Sequence, residues 1–149
     1  MRKLIFLLIL TTSFSTLNSH SNLFNKLKEK SSLKKDEYLI VIYFQIGNCP
    51  KCLIEPFEII NQIEKSKKVG NVKFIALVRC DREIELKVFI RETDWKYYTF
   101  LDDGTARNNL GGEPSSIVTI LNYKGNNILN CNNKEMNKNI KKINAFLKE

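Results

Sequence analysis

Histidine is almost missing from this chain. Its only copy, His20, precedes all four cysteines. The shortage removes cysteine–histidine hydrolase chemistry, which needs an imidazole to activate the thiol. It also leaves any zinc site to cysteine alone. Structural zinc sites usually pair two short cysteine spacings, and only one exists here, Cys49 to Cys52. No metal is therefore expected. Long apolar runs are lacking too. The run Leu4 to Leu10 falls far short of the roughly 20 residues that a membrane span needs. No repeat of solenoid length recurs. Arginines do not cluster and no nucleic-acid motif is present, so no nucleic-acid partner is expected.

What is present fits one globular domain. The 149 residues are 43% hydrophobic and 27% charged, enough apolar content for a core without disulfide staples. Basic residues outnumber acidic ones by 24 to 16, for a formal charge of +8. The lysines gather in residues 25–37 and 133–149. They read as solvated faces, with a weak attraction to an anionic membrane surface as their one partner-like property. A monomer is expected.

The start of the chain speaks to compartment. Met1-Arg2-Lys3, the apolar "LIFLLIL" and the small polar "TTSFSTLNS" outline a secretory signal peptide over residues 1–19. Cleavage is expected after Ser15 or Ser19. Losing Arg2 and Lys3 lowers the formal charge by two, from +8 to +6. The protein is then exported, to a periplasm or outside the cell; an uncleaved leader would hold it at a membrane. Thiols can form and keep disulfides there. Residues 20–37 read as a basic linker or N-terminal helix, and residues 38–149 as the folded domain.

Along that domain, "YLIVIYF" (Tyr38 to Phe44) is the pattern of a strand buried on both faces. Pro50 to Lys67 is helical, with Leu53, Phe57, Ile60 and Ile63 on one face. Pro56 inside it removes a hydrogen bond. Val72 to Val78 is a second buried strand. Residues 82–93 read as a helix, with either Ile84, Val88 and Phe89 or Phe89 and Ile90 facing inward. "YYTFL" (97–101) is a short strand or extended segment, and "DDGTARNNLGG" (102–112) is a loop. Ile117 to Leu121 and Asn127 to Leu129 flank a turn at Lys124-Gly125, as in a β-hairpin. A last helix from about Lys134 lines Met136, Ile140, Ile143 and Leu147 on one face. This order predicts an α/β fold: a mixed sheet, built from a βαβ unit plus a hairpin, with helices on both faces.

The chemistry sits in "GNCPKC". A thiol at position 49 opens a helix, where unsatisfied N–H groups and the positive dipole end favour a thiolate. Lys51 adds charge, and Pro50 costs a first turn nothing. Cys52 follows about one helical turn later, within reach of Cys49. An attacking thiol and a resolving thiol on one rigid element are the requirements of thiol–disulfide exchange.

These features together resemble the thioredoxin superfamily. They are a strand, Cys-x-x-Cys at a helix start, a proline within that helix, a second βα unit, then Pro114 ahead of a hairpin and a final helix. "CPKCLIEPFEII" and "LGGEPSSIVTILNYKGNNIL" are similar to the exported redoxins, the TlpA-like thiol-disulfide oxidoreductases. The resemblance covers about residues 38–148. It implies Cys49 as nucleophile and Cys52 as resolving thiol, with their redox-active disulfide in place of a cofactor. It implies Glu55 as a proton-carrying carboxylate behind the site, its pKa raised by burial. It implies Pro114 as a cis-proline beside the disulfide, where it and Glu113 leave backbone groups for an extended substrate. Implied partners are protein thiols and disulfides and an unidentified redox partner. The chain departs from the family at Asn48, where Trp is usual, and at Glu113, where a small or β-branched residue precedes the proline. A second reading is a non-catalytic peptide-binding module with a permanent Cys49–Cys52 disulfide.

In this layout Cys80 ends the second strand and Cys131 follows the hairpin. Three strand steps, about 14 Å, would part them, beyond the roughly 7 Å that a disulfide allows. Cys80 reads as a small buried hydrophobe, or as a shuttle with Cys49. Cys131 reads as a half-exposed loop thiol. For the leader, N-terminal sequencing of the mature protein is expected to begin at Thr16 or His20; a start at Met1 would show that the leader stays.

Overall fold

Residues 38–45 form the centre of a five-stranded sheet. A computed structural model describes residues 22–47, 50–66, 70–132, 134 and 136–148. β1 (Tyr38–Gln45) pairs in parallel with β2 (Val72–Arg79), from Tyr38 opposite Val72 to Gln45 opposite Arg79. Parallel neighbours need a crossover, and α2 (Pro50–Glu64) provides it. β2 leads through α3 (Glu83–Glu92) to β3 (Tyr98–Leu101), which joins β2 in parallel. The hairpin of β4 (Ser116–Leu121) and β5 (Asn127–Asn132) adds antiparallel on the other side of β1, giving the order β3-β2-β1-β4-β5. α5 (Met136–Lys148) closes the chain. A first helix, α1, spans residues 22–31, and a short α4 spans Ala106–Asn109.

The faces follow from handedness. The crossovers β1–α2–β2 and β2–α3–β3 step the sheet the same way, so right-handed connections set α2 and α3 on one face. There Ile40, Ile42 and Phe44 of β1 pack with Ile59, Ile60 and Ile63 of α2, Phe89 of α3, and Ile143 and Phe146 of α5. On the other face Leu39, Val41 and Tyr43 pack with Phe24 and Leu27 of α1, Ala106 of α4, and Leu110. Every β1 residue from Leu39 to Phe44 is buried, as its unbroken apolar run requires.

An aromatic cluster closes the α3 end. The Phe44 ring lies 4.8 Å from Phe89, 5.4 Å from Phe57 and 5.5 Å from Trp95. Trp95 in turn meets Tyr97 edge-on at 5.3 Å, and the Tyr97 hydroxyl donates to Glu64 at the end of α2. Trp95 is thus a core residue that ties the α3 segment to α2. On the opposite face, Gly125 turns the hairpin at φ +86°, and a Cβ there would come within 2.9 Å of the Phe24 ring. Only glycine lets α1 close over this turn.

Several expectations change. Phe89 is buried and Ile90 half-buried, whereas Ile84 and Val88 are exposed. The loop after β3 contains α4, because Asp102 Oδ1 accepts the N–H groups of Gly104 and Ala106 and so starts the turn. β5 extends to Asn132, which places Cys131 inside the strand, opposite Val118 and fully buried. Cys80, at the open end of β2, is half-exposed. Both are free thiols, three strands apart in the sheet order. Residues 22–31 are the helix α1, and Phe24, Leu27 and Leu33 of this segment are buried against the sheet.

Replacing Leu27, which is fully buried, tests that point. Leu27→Ala is expected to cost about 3 kcal/mol in urea unfolding. A loss below about 0.5 kcal/mol would show that α1 does not pack as described.

Candidate functional site

β1, β2 and β3 run in parallel, so their carboxyl ends share one edge with the start of β4 and the end of β5. Crevices outside the carboxyl ends of strands are where α/β sheets place their sites. The edge holds Ile46 and Gly47 after β1, Cys80 after β2, Asp102 after β3, and Pro114 ahead of β4. Gly47 turns the chain at φ +96°, a conformation that favours glycine, and α2 begins at Pro50. Asn48 and Cys49 lie outside the described residues. Cys52 falls in the first turn of α2. The α2 N-terminus therefore stands at the sheet's carboxyl edge, with Cys49 directly ahead of it in the chain.

Glu55 is on α2 three residues past Cys52. It is half-buried, and its Oε2 is sealed from solvent with no hydrogen-bond partner among the described residues. A buried carboxyl oxygen without a donor is an uncompensated polar group in this part of the helix.

Pro114 reaches this edge through β4. The β1–β4 register sets Ile42 opposite Val118 and Leu39 opposite Leu121. The pairing ends at Ile42 opposite Val118, so Pro114 lies beyond it, ahead of β4 and on the side of the sheet where β1 ends. Pro114 is nonetheless not a cis-proline: every peptide bond among the described residues is trans. The reason is local. The Ser116 N–H donates to the Glu113 carbonyl at 2.9 Å, which closes a β-turn with Pro114 second. A trans proline with φ near −65° suits that position, whereas cis-proline belongs third in a turn. Ser116 Oγ also accepts the Glu113 N–H at 2.9 Å. Both Glu113 and Pro114 are exposed, and Ser116 is fully buried.

Residues not marked by the sequence complete the loop. Arg107 Nη1 donates to the Pro114 carbonyl at 3.1 Å, and its guanidinium stacks 5.1 Å over the Tyr43 ring. The Arg107 carbonyl accepts the Gly112 N–H at 2.8 Å. The Gly111 carbonyl accepts from Asn127 and Asn130, and Asn130 Oδ1 takes the Thr119 hydroxyl at 2.7 Å. Burial pushes the Tyr43 phenol up to about 12, opposed by Thr119 and the Arg107 charge. Nothing in "DDGTARNNLGG" distinguishes Arg107 beforehand. "EPSS" does carry a signal, since a proline followed by serines favours a turn with proline at its second position.

An apolar groove of about 480 Å³ runs beside the same edge, lined by Ile46, Ile84, Val88 and Phe89 with Arg82 and Glu92 at its rim. Cys80 flanks it in sequence. Burial raises the Cys80 thiol above its ordinary value, and Glu85 adds to this. Arg82 bonds Glu85 through Nε and Nη2, both at 2.8 Å, and holds that carboxyl below its usual range. Among the described residues no cluster of three or more histidine, cysteine or acidic side chains could hold a metal, and no helix is long and apolar enough to cross a membrane.

Solved structures share this architecture. The chain is similar to StoA from Bacillus subtilis, at 18% identity over 74% of this chain and 84% of that one, TM-score 0.53. It is similar to a thioredoxin-like protein from Porphyromonas gingivalis, at 21% identity over 78% and 79%, TM-score 0.53. A thiol:disulfide interchange protein of the thioredoxin family from Chlorobium tepidum matches at 14% identity over 79% and 83%, TM-score 0.54. The chain therefore has the thioredoxin-like fold. No protein-family model matches it, and no curated protein matches it in sequence.

Cys131 offers a test of this side of the sheet. Burial pushes its thiol up to about 11, with Lys142 pulling the other way. An unfolded thiol near 9 loses its proton first. Stability therefore falls as pH rises from about 9 to 11, by about 2 kcal/mol for this group. Urea midpoints measured across that range should fall less steeply in Cys131→Ala. Parallel slopes would contradict the burial.

Proposed function

We propose that the protein is an exported thiol-disulfide oxidoreductase working through Cys49-Pro50-Lys51-Cys52. The observation that carries this is the start of α2 at Pro50, at the carboxyl edge of the parallel strands of a thioredoxin-like fold. Helix N-terminal N–H groups favour a thiolate on Cys49, ahead of the first turn. In the reducing direction that thiolate attacks one sulfur of a client disulfide. One client thiolate leaves, and a mixed disulfide joins Cys49 to the other client sulfur. Cys52, losing its proton to Glu55, attacks the Cys49 sulfur and releases the second client thiolate. Two electrons have passed to the client and the Cys49–Cys52 disulfide remains. A dithiol partner restores the pair, and the same steps reversed oxidise a client.

Glu55 is assigned the proton-carrying role for its place on α2, three residues past Cys52. Export through residues 1–19 supplies a compartment where the disulfide persists, with membrane attachment if that leader stays. The peptide-binding module with a fixed disulfide gains nothing from the Pro114 turn. Its peptide would need the Glu113 backbone, which already bonds Ser116.

Cys52→Ser is the direct test. Incubated with an oxidised client extract or a small aromatic disulfide, it should accumulate a covalent adduct through Cys49 that dithiothreitol releases. Cys49→Ser should form none. An unreactive Cys49 in both settings would remove the proposal.

A further inference from the structure

The α2 start and the Pro114 loop share one sheet edge, so a client of the proposed exchange approaches an edge that carries this loop's backbone. An extended chain pairs through an N–H and a C=O of the same residue. At Glu113 the N–H is taken by Ser116 Oγ at 2.9 Å, and the C=O accepts the Ser116 N–H at 2.9 Å. At Pro114 there is no N–H, and the C=O accepts Arg107 Nη1 at 3.1 Å. A carbonyl can accept twice, but an N–H donates once. Freeing the Glu113 N–H would strand the hydroxyl of Ser116, which is fully buried. Such a group is expensive to leave unpaired. Three ties hold the turn closed, and two come from Ser116.

We infer that the Pro114 turn withholds its backbone from extended polypeptide, with Ser116 as the specificity determinant. The substrates are compact disulfides that present sulfur without a pairing strand. The inference rests on the oxidoreductase reading for its chemistry but not for its geometry. Ser116 acts through Glu113 and touches no reacting atom.

The test compares two extended peptides, each bearing a chromogenic disulfide. One has a plain backbone; the other is N-methylated beside its cysteine, so that it cannot pair as a strand. A small aromatic disulfide and a short disulfide-closed cyclic peptide show which compact class is preferred. In the reduced wild-type protein the plain and methylated peptides should react within twofold of each other. In Ser116→Ala the plain peptide should gain about tenfold over the methylated one, the scale of one hydrogen bond to a freed N–H. A tenfold preference for the plain peptide in the wild type, or no gain in the variant, overturns the inference. Amide exchange gives a readout free of redox chemistry. The Glu113 N–H should be protected in the wild type and exchange at least tenfold faster in Ser116→Ala; an unprotected Glu113 amide in the wild type overturns the inference as well. Should neither disulfide react at all, the oxidoreductase reading fails by itself. Serine-for-cysteine versions of the peptides are then compared for binding. Equal or absent binding upholds the closed turn, and preference for the plain backbone refutes it.

Discussion

The parallel pairing of β1 with β2 is the constraint on which the rest of the structure depends. Two parallel neighbours cannot be joined by a tight turn, so a helix must cross over one face and return the chain to the sheet's far end. That helix has to begin where β1 ends. The α2 N-terminus is therefore aimed at the carboxyl edge by topology, independent of any demand for function. Burial enforces the arrangement, since β1 is covered by α2, α3 and α5 on one face and by α1 and α4 on the other. A one-residue slip in β1 would exchange the two cores. The register over all of Tyr38 to Gln45 is thus held by packing as well as by hydrogen bonds.

The second half of the edge is built differently. β4 is antiparallel to β1, so the Pro114 loop ahead of it lies at the edge where β1 ends. Its position rests on polar ties: Ser116 to Glu113, Arg107 to Pro114 and Gly112, and the Asn127 and Asn130 amides to Gly111. Each neutral bond contributes on the order of 1 kcal/mol, and the buried ones cost more to break than to form. The edge thus pairs a helix start fixed by apolar packing with a turn fixed by a hydrogen-bond network. The first supplies an activated thiol in the proposed mechanism, and the second governs what can approach it.

Much of this was legible in the residues. Tyr38 to Phe44 and Val72 to Val78 announce doubly buried strands because no polar residue interrupts the packing positions except Lys73, which reaches Glu37. The helix start at Pro50 and the proline ahead of the hairpin both fall at the carboxyl edge of the sheet. What failed depended on tertiary detail. The state of Pro114 is decided by Ser116 bonding back to Glu113, a contact that no resemblance to redoxins reveals. Cys131 is buried because β5 runs three residues further than its apolar part, through Asn130 to Asn132, whereas Cys80 is half-exposed because β2 ends one residue before it. The polar residues at that strand's end are satisfied by partners from afar: Asn130 by Thr119, Asn132 by the buried Asn139 of α5. Arg107 lay in a segment whose composition says only loop, and its value comes from the Tyr43 ring and the Pro114 carbonyl that the fold brings to it.

The account turns on whether the α2 N-terminus activates the sulfur ahead of it. Thiolate absorbance near 240 nm, followed against pH in a protein carrying Cys80→Ala and Cys131→Ala, reads the Cys49–Cys52 pair alone. The account predicts that one thiol of the reduced pair ionises well below the ordinary cysteine value, and that Cys49→Ser removes this early step. Both thiols ionising at or above the ordinary value would contradict it.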